Sequence, residues 1–154
     1  MEVKGIYSWK PRNQRENSSL LPKNIRGLII GKSNCGKTTV LMNLLLQPEW
    51  LDYDHVYVFG LSLHQTEYQI IEKGFQMGLS KEQITNLFSN QQAMTQAKLV
   101  PMDVLKNYTG IHNGKIKADF FSDCTAIPDP TNLDKTEKNL LILDDCILGK
   151  QRKD

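Results

Sequence analysis

The sequence predicts an α/β fold with a mostly parallel sheet, and two observations carry that prediction. Strand-length apolar runs (Ile25–Ile30, His55–Gly60, Asn139–Leu143) alternate with longer segments whose apolar residues recur at helical spacing. Turn residues bound the first of these runs, as they bound buried strands. A chain of 154 residues fits one compact domain and leaves little room for two.

Residues 1–24 show no clean periodicity, contain Pro11 and Pro22, and read as an irregular arm. The domain proper is expected over residues 25–154. Ile25–Ile30 suits a buried first strand. From Lys37 to Gln47 the apolar residues Val40, Leu41, Met42, Leu44, Leu45 and Leu46 cover most of a helix surface, so that helix should be buried on several sides. Pro48 ends it. His55–Gly60 is a second strand, rich in β-branched and aromatic residues. Tyr68, Ile71 and Phe75 mark a second helix that ends between Gly74 and Gly78. Ser80 and Gln83 have the form of a capping box, and Ile84, Leu87 and Phe88 supply the apolar face of the helix it starts. A further helical piece is expected near Met102–Tyr108, a strand over Ile116–Phe121, a loop at Ala126–Pro130 and a fully apolar strand at Asn139–Leu143.

Gly31, Gly36, Lys37 and Thr38 satisfy G-x-x-x-x-G-K-[ST], the phosphate-binding loop, between a strand-like run and a helical one. Each residue type has a physical task. The glycines let the loop curl and turn its N–H groups inward. The helix start that follows favours an anion. Lys37 sets a compact positive charge against the β- and γ-phosphates, and the Thr38 hydroxyl suits Mg²⁺, a hard cation that prefers oxygen. Thr39 is placed to reach the α-phosphate. Gly31, Ser33, Asn34, Cys35, Gly36, Lys37, Thr38 and Thr39 therefore form the expected ATP-binding set. Cys35 reads as a small filler, although a helix N-terminus could also make its thiol reactive.

Leu140–Leu143 run into Asp144 and Asp145. A buried strand that ends in acids delivers carboxylates to the C-terminal edge of an α/β sheet, where such sheets bind ligands. This is the form of a Walker B element. Asp144 is expected to hold the Mg²⁺ shell. Asp145 stands where many hydrolysing ATPases carry a glutamate that orients the attacking water, on a shorter stem. Lys37 and Asp145 are thus the catalytic candidates, and Thr38 and Asp144 the metal ligands.

Several classes are disfavoured. Ile147 and Leu148 stand where a GTPase would continue D-x-x-G, and no guanine-reading N-K-x-D occurs. Small-molecule kinases stay open, because their substrate pockets share no motif. Three scattered cysteines suggest reduced thiols, and three scattered histidines argue against a metal site built from protein ligands alone. No apolar run approaches bilayer length, and the polar N-terminus is not a secretory signal, so an intracellular protein with no membrane contact is expected. The net charge of +2 excludes a polycation. Up to Arg26, however, six basic residues stand against two acidic ones, which suits either a solvated leader or an arm that touches nucleic acid.

LIIGKSNCGKTTVLMNLLL, DYDHVYVFGLSLHQTEY and NLLILDDCILGKQ together resemble the genome-packaging ATPases of large DNA viruses and Polinton-type transposons, within the FtsK–HerA superfamily of P-loop NTPases. The resemblance covers most of the chain from Ile25 onward. It implies a three-layer sandwich of the additional-strand (ASCE) type and a homo-oligomeric ring that pumps double-stranded DNA. The setting it implies is a host cytoplasm, a nucleus or a virion. Carried over, the nucleotide role falls on Gly36, Lys37 and Thr38, the metal role on Asp144 and the catalytic carboxylate on Asp145. Chains of that family continue well past Walker B to a sensor strand and an arginine that acts across subunits. On the resemblance, this chain is therefore expected to lack those C-terminal strands and to turn over little alone. A non-catalytic nucleotide- or DNA-binding fragment and a small-molecule phosphotransferase are the alternatives.

Overall fold

The computed structural model describes Leu21, residues 24–89 and residues 101–146. The basic arm, apart from Leu21 and Asn24, and residues 147–154 lie outside the described residues. The elements run as helix α1 (Lys37–Leu46), strand β1 (His55–Gly60), helices α2 (Thr66–Gln76), α3 (Lys81–Ser89) and α4 (Pro101–Lys106), strand β2 (Lys117–Phe121), a 3₁₀ turn (Pro130–Asn132) and strand β3 (Asn139–Asp144). The fold is α/β, with an open, all-parallel sheet of three strands ordered β2-β1-β3.

Local chemistry accounts for the helix ends. α1 stops at Leu46 because Gln47, the residue before Pro48, is extended (φ −66°, ψ 127°). α2 closes through Gly78 at φ +76°, with Leu79 N donating to Gly74 O and Gly78 N to Phe75 O, both at 2.9 Å. The capping box at α3 is reciprocal: Ser80 N donates to Gln83 Oε1 (2.8 Å), and Gln83 N donates to Ser80 Oγ (3.3 Å).

Register sorts the sheet into two faces. Val56, Ala118 and Leu140 are level with one another, as are Val58, Phe120 and Ile142. These side chains share one core with Met42, Leu45, Tyr68, Ile71, Phe75, Ile84 and Leu105 from the helices. The opposite face carries Tyr57, Phe59, Phe121, Leu141 and Leu143, none of which joins that core, and Leu141 and Leu143 are exposed. The expected three-layer sandwich is met only in part: among the described residues, one helical layer covers one face. No helix among them is long and apolar enough to cross a membrane.

Two expectations need correction. Ile25–Ile30 is not a buried strand: it pairs with nothing in the sheet, and Leu28 and Ile30 are each 83% exposed. An apolar run becomes a strand only beside a ladder partner. Here Asn24–Arg26 and Glu137–Leu140 both line one cavity of about 710 Å³ instead. Nor is α1 buried on several sides. Met42, Leu45 and Leu46 face the core, while Val40 is 48% exposed, and no element among the described residues covers that side.

Candidate functional site

The loop before α1 has the backbone that its residue types suggest. Asn34 (φ +59°) and Gly36 (φ +89°) are both left-handed, separated by Cys35. Alternation of this kind turns successive N–H groups toward one concavity, which is an anion-binding arrangement. Gly36 is the N-cap of α1 and offers no side chain to cap it, so the first-turn N–H groups stay open to a ligand. Lys37 is the first helical residue, and its Nζ donates to Gly31 O (3.1 Å) and Lys32 O (3.0 Å). The ammonium therefore sits against the loop it belongs to, and its third proton is left for a ligand. Cys35 N donates to Lys32 O (3.3 Å), which tightens the turn. The Cys35 Sγ lies over Gly31 where a Cβ would stand, so the cysteine fills the loop. Gly31, Ser33, Asn34, Cys35, Gly36 and Thr39 are exposed, while Lys37 and Thr38 are half-buried.

The acids lie at the C-terminal end of β3. Asp144 is half-buried, and its Oδ2 accepts a hydrogen bond from the Tyr68 hydroxyl. Tyr68 belongs to the first turn of α2 and is fully buried. Burial first, and the bond to Asp144 second, push the phenol's pKa well above its ordinary range, so it stays a donor. Asp145 is exposed and left-handed (φ +52°), and its Oδ2 accepts a long bond from Ser62 Oγ (3.4 Å). Ser62 follows β1, so the loop after the central strand and the start of α2 together hold the acidic pair. Sequence reasoning took Tyr68 for an apolar position on a helix and did not single out Ser62. The signal was the polar tip of a tyrosine on a buried helical stripe, because such hydroxyls find partners.

The loop and the acidic pair are two separately organised halves. No hydrogen bond or ion pair joins them among the described residues. Nor do those residues hold a group of three or more His, Cys, Asp or Glu that could cage a metal. A Mg²⁺ bound with a nucleotide needs only one or two carboxylates plus phosphate oxygens and water, so Thr38 and Asp144 remain suitable ligands. Asp144 keeps one oxygen clear of Tyr68 for that purpose.

The opposite end of the sheet has a different chemistry. There His55 Nε2 meets Asp119 Oδ2 (2.7 Å), Lys117 Nζ meets Glu137 Oε1 (2.5 Å) and Lys138 Nζ meets Asp52 Oδ2 (2.5 Å). Ion pairs and the His55–Asp119 contact stitch the N-terminal end, while among the described residues no ion pair reaches Asp144 or Asp145 at the C-terminal end.

The thiols also depart from expectation. Cys124, just past β2, and Cys146, just past β3, form a disulfide with Cα atoms 5.7 Å apart, and only Cys35 is free. Their spacing of 22 residues encodes no motif. The parallel topology brings the two strand ends together. Protein-family models, curated proteins and solved structures include no match to this chain.

Proposed function

We propose that the chain is a P-loop nucleotide-binding domain that takes ATP with Mg²⁺ and serves a double-stranded DNA-packaging or translocating ATPase built as a homo-oligomeric ring. The single observation that carries the nucleotide reading is the loop Gly31–Thr39. Two left-handed residues, an uncapped helix start and an inward lysine coincide in one turn. The polymer substrate and the ring rest on the resemblance of the flanking sequence.

In this reading, backbone N–H groups from Gly31 to Thr39 bind the phosphates, and Lys37 neutralises the β- and γ-oxygens. Thr38 and Asp144 would hold Mg²⁺, whose chemistry is to offset phosphate charge. Tyr68 fixes the rotamer of Asp144. Asp145 is the carboxylate that would accept a proton from water, and Ser62 restrains it.

Lys37→Ala tests the reading. A hydrogen bond to a charged group contributes roughly 1.5–3 kcal/mol, so affinity for labelled ATP should fall by about ten- to a hundredfold. Unchanged affinity would sink the proposal. Asp145→Asn should keep ATP binding and lose any hydrolysis that the assembled ring shows.

A further inference from the structure

The geometry points to a redox-sensitive clamp: the Cys124–Cys146 disulfide fixes the end of β3 that carries Asp144 and Asp145, and its reduction by a dithiol releases that pair. The inference rests on the proposed nucleotide reading for its functional consequence, and on the position of the disulfide for its mechanism.

Three observations converge on it. First, the bond joins the two outer strands of the sheet. β2 and β3 do not pair with each other, so the link from Cys124 to Cys146 spans the C-terminal end of β1. It closes residues 125–145, most of the β2–β3 connection together with β3 itself, into one covalent loop. Secondly, Cys146 directly follows Asp145, which is held at φ +52°, a left-handed conformation that is uncommon outside glycine, although aspartate adopts it more often than most residues. Such a conformation persists only when its surroundings over-determine it. Here the surroundings are the disulfide on one side, with Cys146 Sγ seated 3.2 Å from Phe59 O, and β3 on the other, with one long bond from Ser62. Thirdly, the strand end is seated tightly. A Cβ on Gly60 would lie 2.7 Å from Asp144 O, so β1 and β3 touch backbone to backbone where the acids emerge. Without the tether, the chain past Asp144 loses its covalent anchor and Asp145 is free to return to a negative φ. Asp144, the proposed metal ligand, is then supported only by the Tyr68 bond and the β1 ladder, without the covalent tether that fixes its strand end.

Both cysteines are half-buried, so a small dithiol reaches them. The exchange balances. A dithiol thiolate attacks one sulfur, the Cys124–Cys146 bond breaks, and a mixed disulfide forms while the other cysteine leaves as thiolate and takes up a proton. The second thiol of the reagent then closes its own disulfide and frees the remaining cysteine. Two electrons and two protons pass to the protein.

The test uses the whole chain purified without reductant. Iodoacetamide should then modify one cysteine, Cys35, and all three after dithiothreitol treatment. Three modifications on the untreated chain would overturn the clamp. Labelled-ATP affinity is next measured with and without Mg²⁺ in both redox states. Reduction should cut the Mg²⁺-dependent gain by about tenfold, the lower end of the loss when a metal ligand loses its support, and leave the Mg²⁺-free affinity unchanged. An equal gain in both states overturns the inference. Cys124→Ser should match the reduced wild type and ignore dithiothreitol. If labelled ATP binds neither redox form, the nucleotide reading alone fails. Amide exchange over residues 140–146 then decides the clamp: faster exchange on reduction supports it, and unchanged exchange overturns it.

Discussion

The Tyr68 hydroxyl donates to Asp144 Oδ2 from a fully buried ring that packs edge-on against Phe120, 6.1 Å between centroids. One side chain thus belongs both to the core and to the candidate site, and a double-mutant cycle separates the two roles. Tyr68→Phe keeps the ring and removes the donor, while Asp144→Ala removes the acceptor. A hydrogen bond to a charged group predicts a coupling of about 1.5–3 kcal/mol in urea unfolding, less what a half-buried carboxylate recovers from water. Coupling below roughly 0.3 kcal/mol, the scatter of independent sites, would mean that the hydroxyl only fills space. The sequence made Asp144 legible, because an apolar strand that ends in acids is a local pattern. Its partner was not legible, since 76 residues separate the two and only the fold brings α2 to the end of β3.

Between β2 and β3 the chain runs through residues 122–138 with a single 3₁₀ turn, and one repeated device orders it. In Asp123/Thr125, Asp129/Thr131 and Asp134/Thr136, the aspartate Oδ1 accepts from both the threonine N–H and its hydroxyl, at 2.6–2.8 Å. These bonds hold all three carboxyl groups below their ordinary pKa. Groups depressed in the folded state add stability above the unfolded pKa, here 3.8, and lose it as pH falls through the lower folded values. Asparagine keeps the acceptor oxygen but does not titrate. Replacing all three aspartates by asparagine should therefore leave the fold intact at neutral pH and flatten the loss of stability on acidification below about pH 4, followed by urea midpoints against pH. An unaltered acid profile would show that these turns do not carry the dependence. The Asp-x-Thr pattern was visible in the sequence, but its threefold use was not predicted. Strands β1 and β3, the α3 capping box and the end of α2 were legible because each is written in neighbouring residues. Ile25–Ile30 misled because strand formation depends on a ladder partner elsewhere. The Cys124–Cys146 pairing was hidden because topology, not spacing, made it.

At the scale of the whole molecule, the sheet has one fully paired strand and two half-paired ones. β1 bonds to β2 on one side and β3 on the other, and Val56, Val58 and Phe59 are completely buried. β2 and β3 each have one edge without a partner among the described residues, and Ile25–Ile30 has none on either side. In a parallel ladder, successive amides of a strand point alternately to its two edges. Native-state exchange should therefore be slowest and continuous along β1, and should alternate between slow and fast amides along β2 and β3. From Ile25 to Ile30 it should approach the rate of an unstructured chain. The same pattern bears on the proposed site, because the loop Gly31–Thr39 follows directly from that unpaired segment and the acids end a half-paired strand. The two halves of the site are therefore restrained differently: the loop follows an unpaired segment, while the acids end a half-paired strand that the Cys124–Cys146 disulfide ties across β1. Binding ATP with Mg²⁺ would bridge the halves, so both should gain protection together when the nucleotide is added. Protection of one half alone would argue that Lys37 and Asp144 do not serve a common ligand. Continuous protection along both edges of β3 in the ligand-free chain would contradict the three-stranded sheet itself.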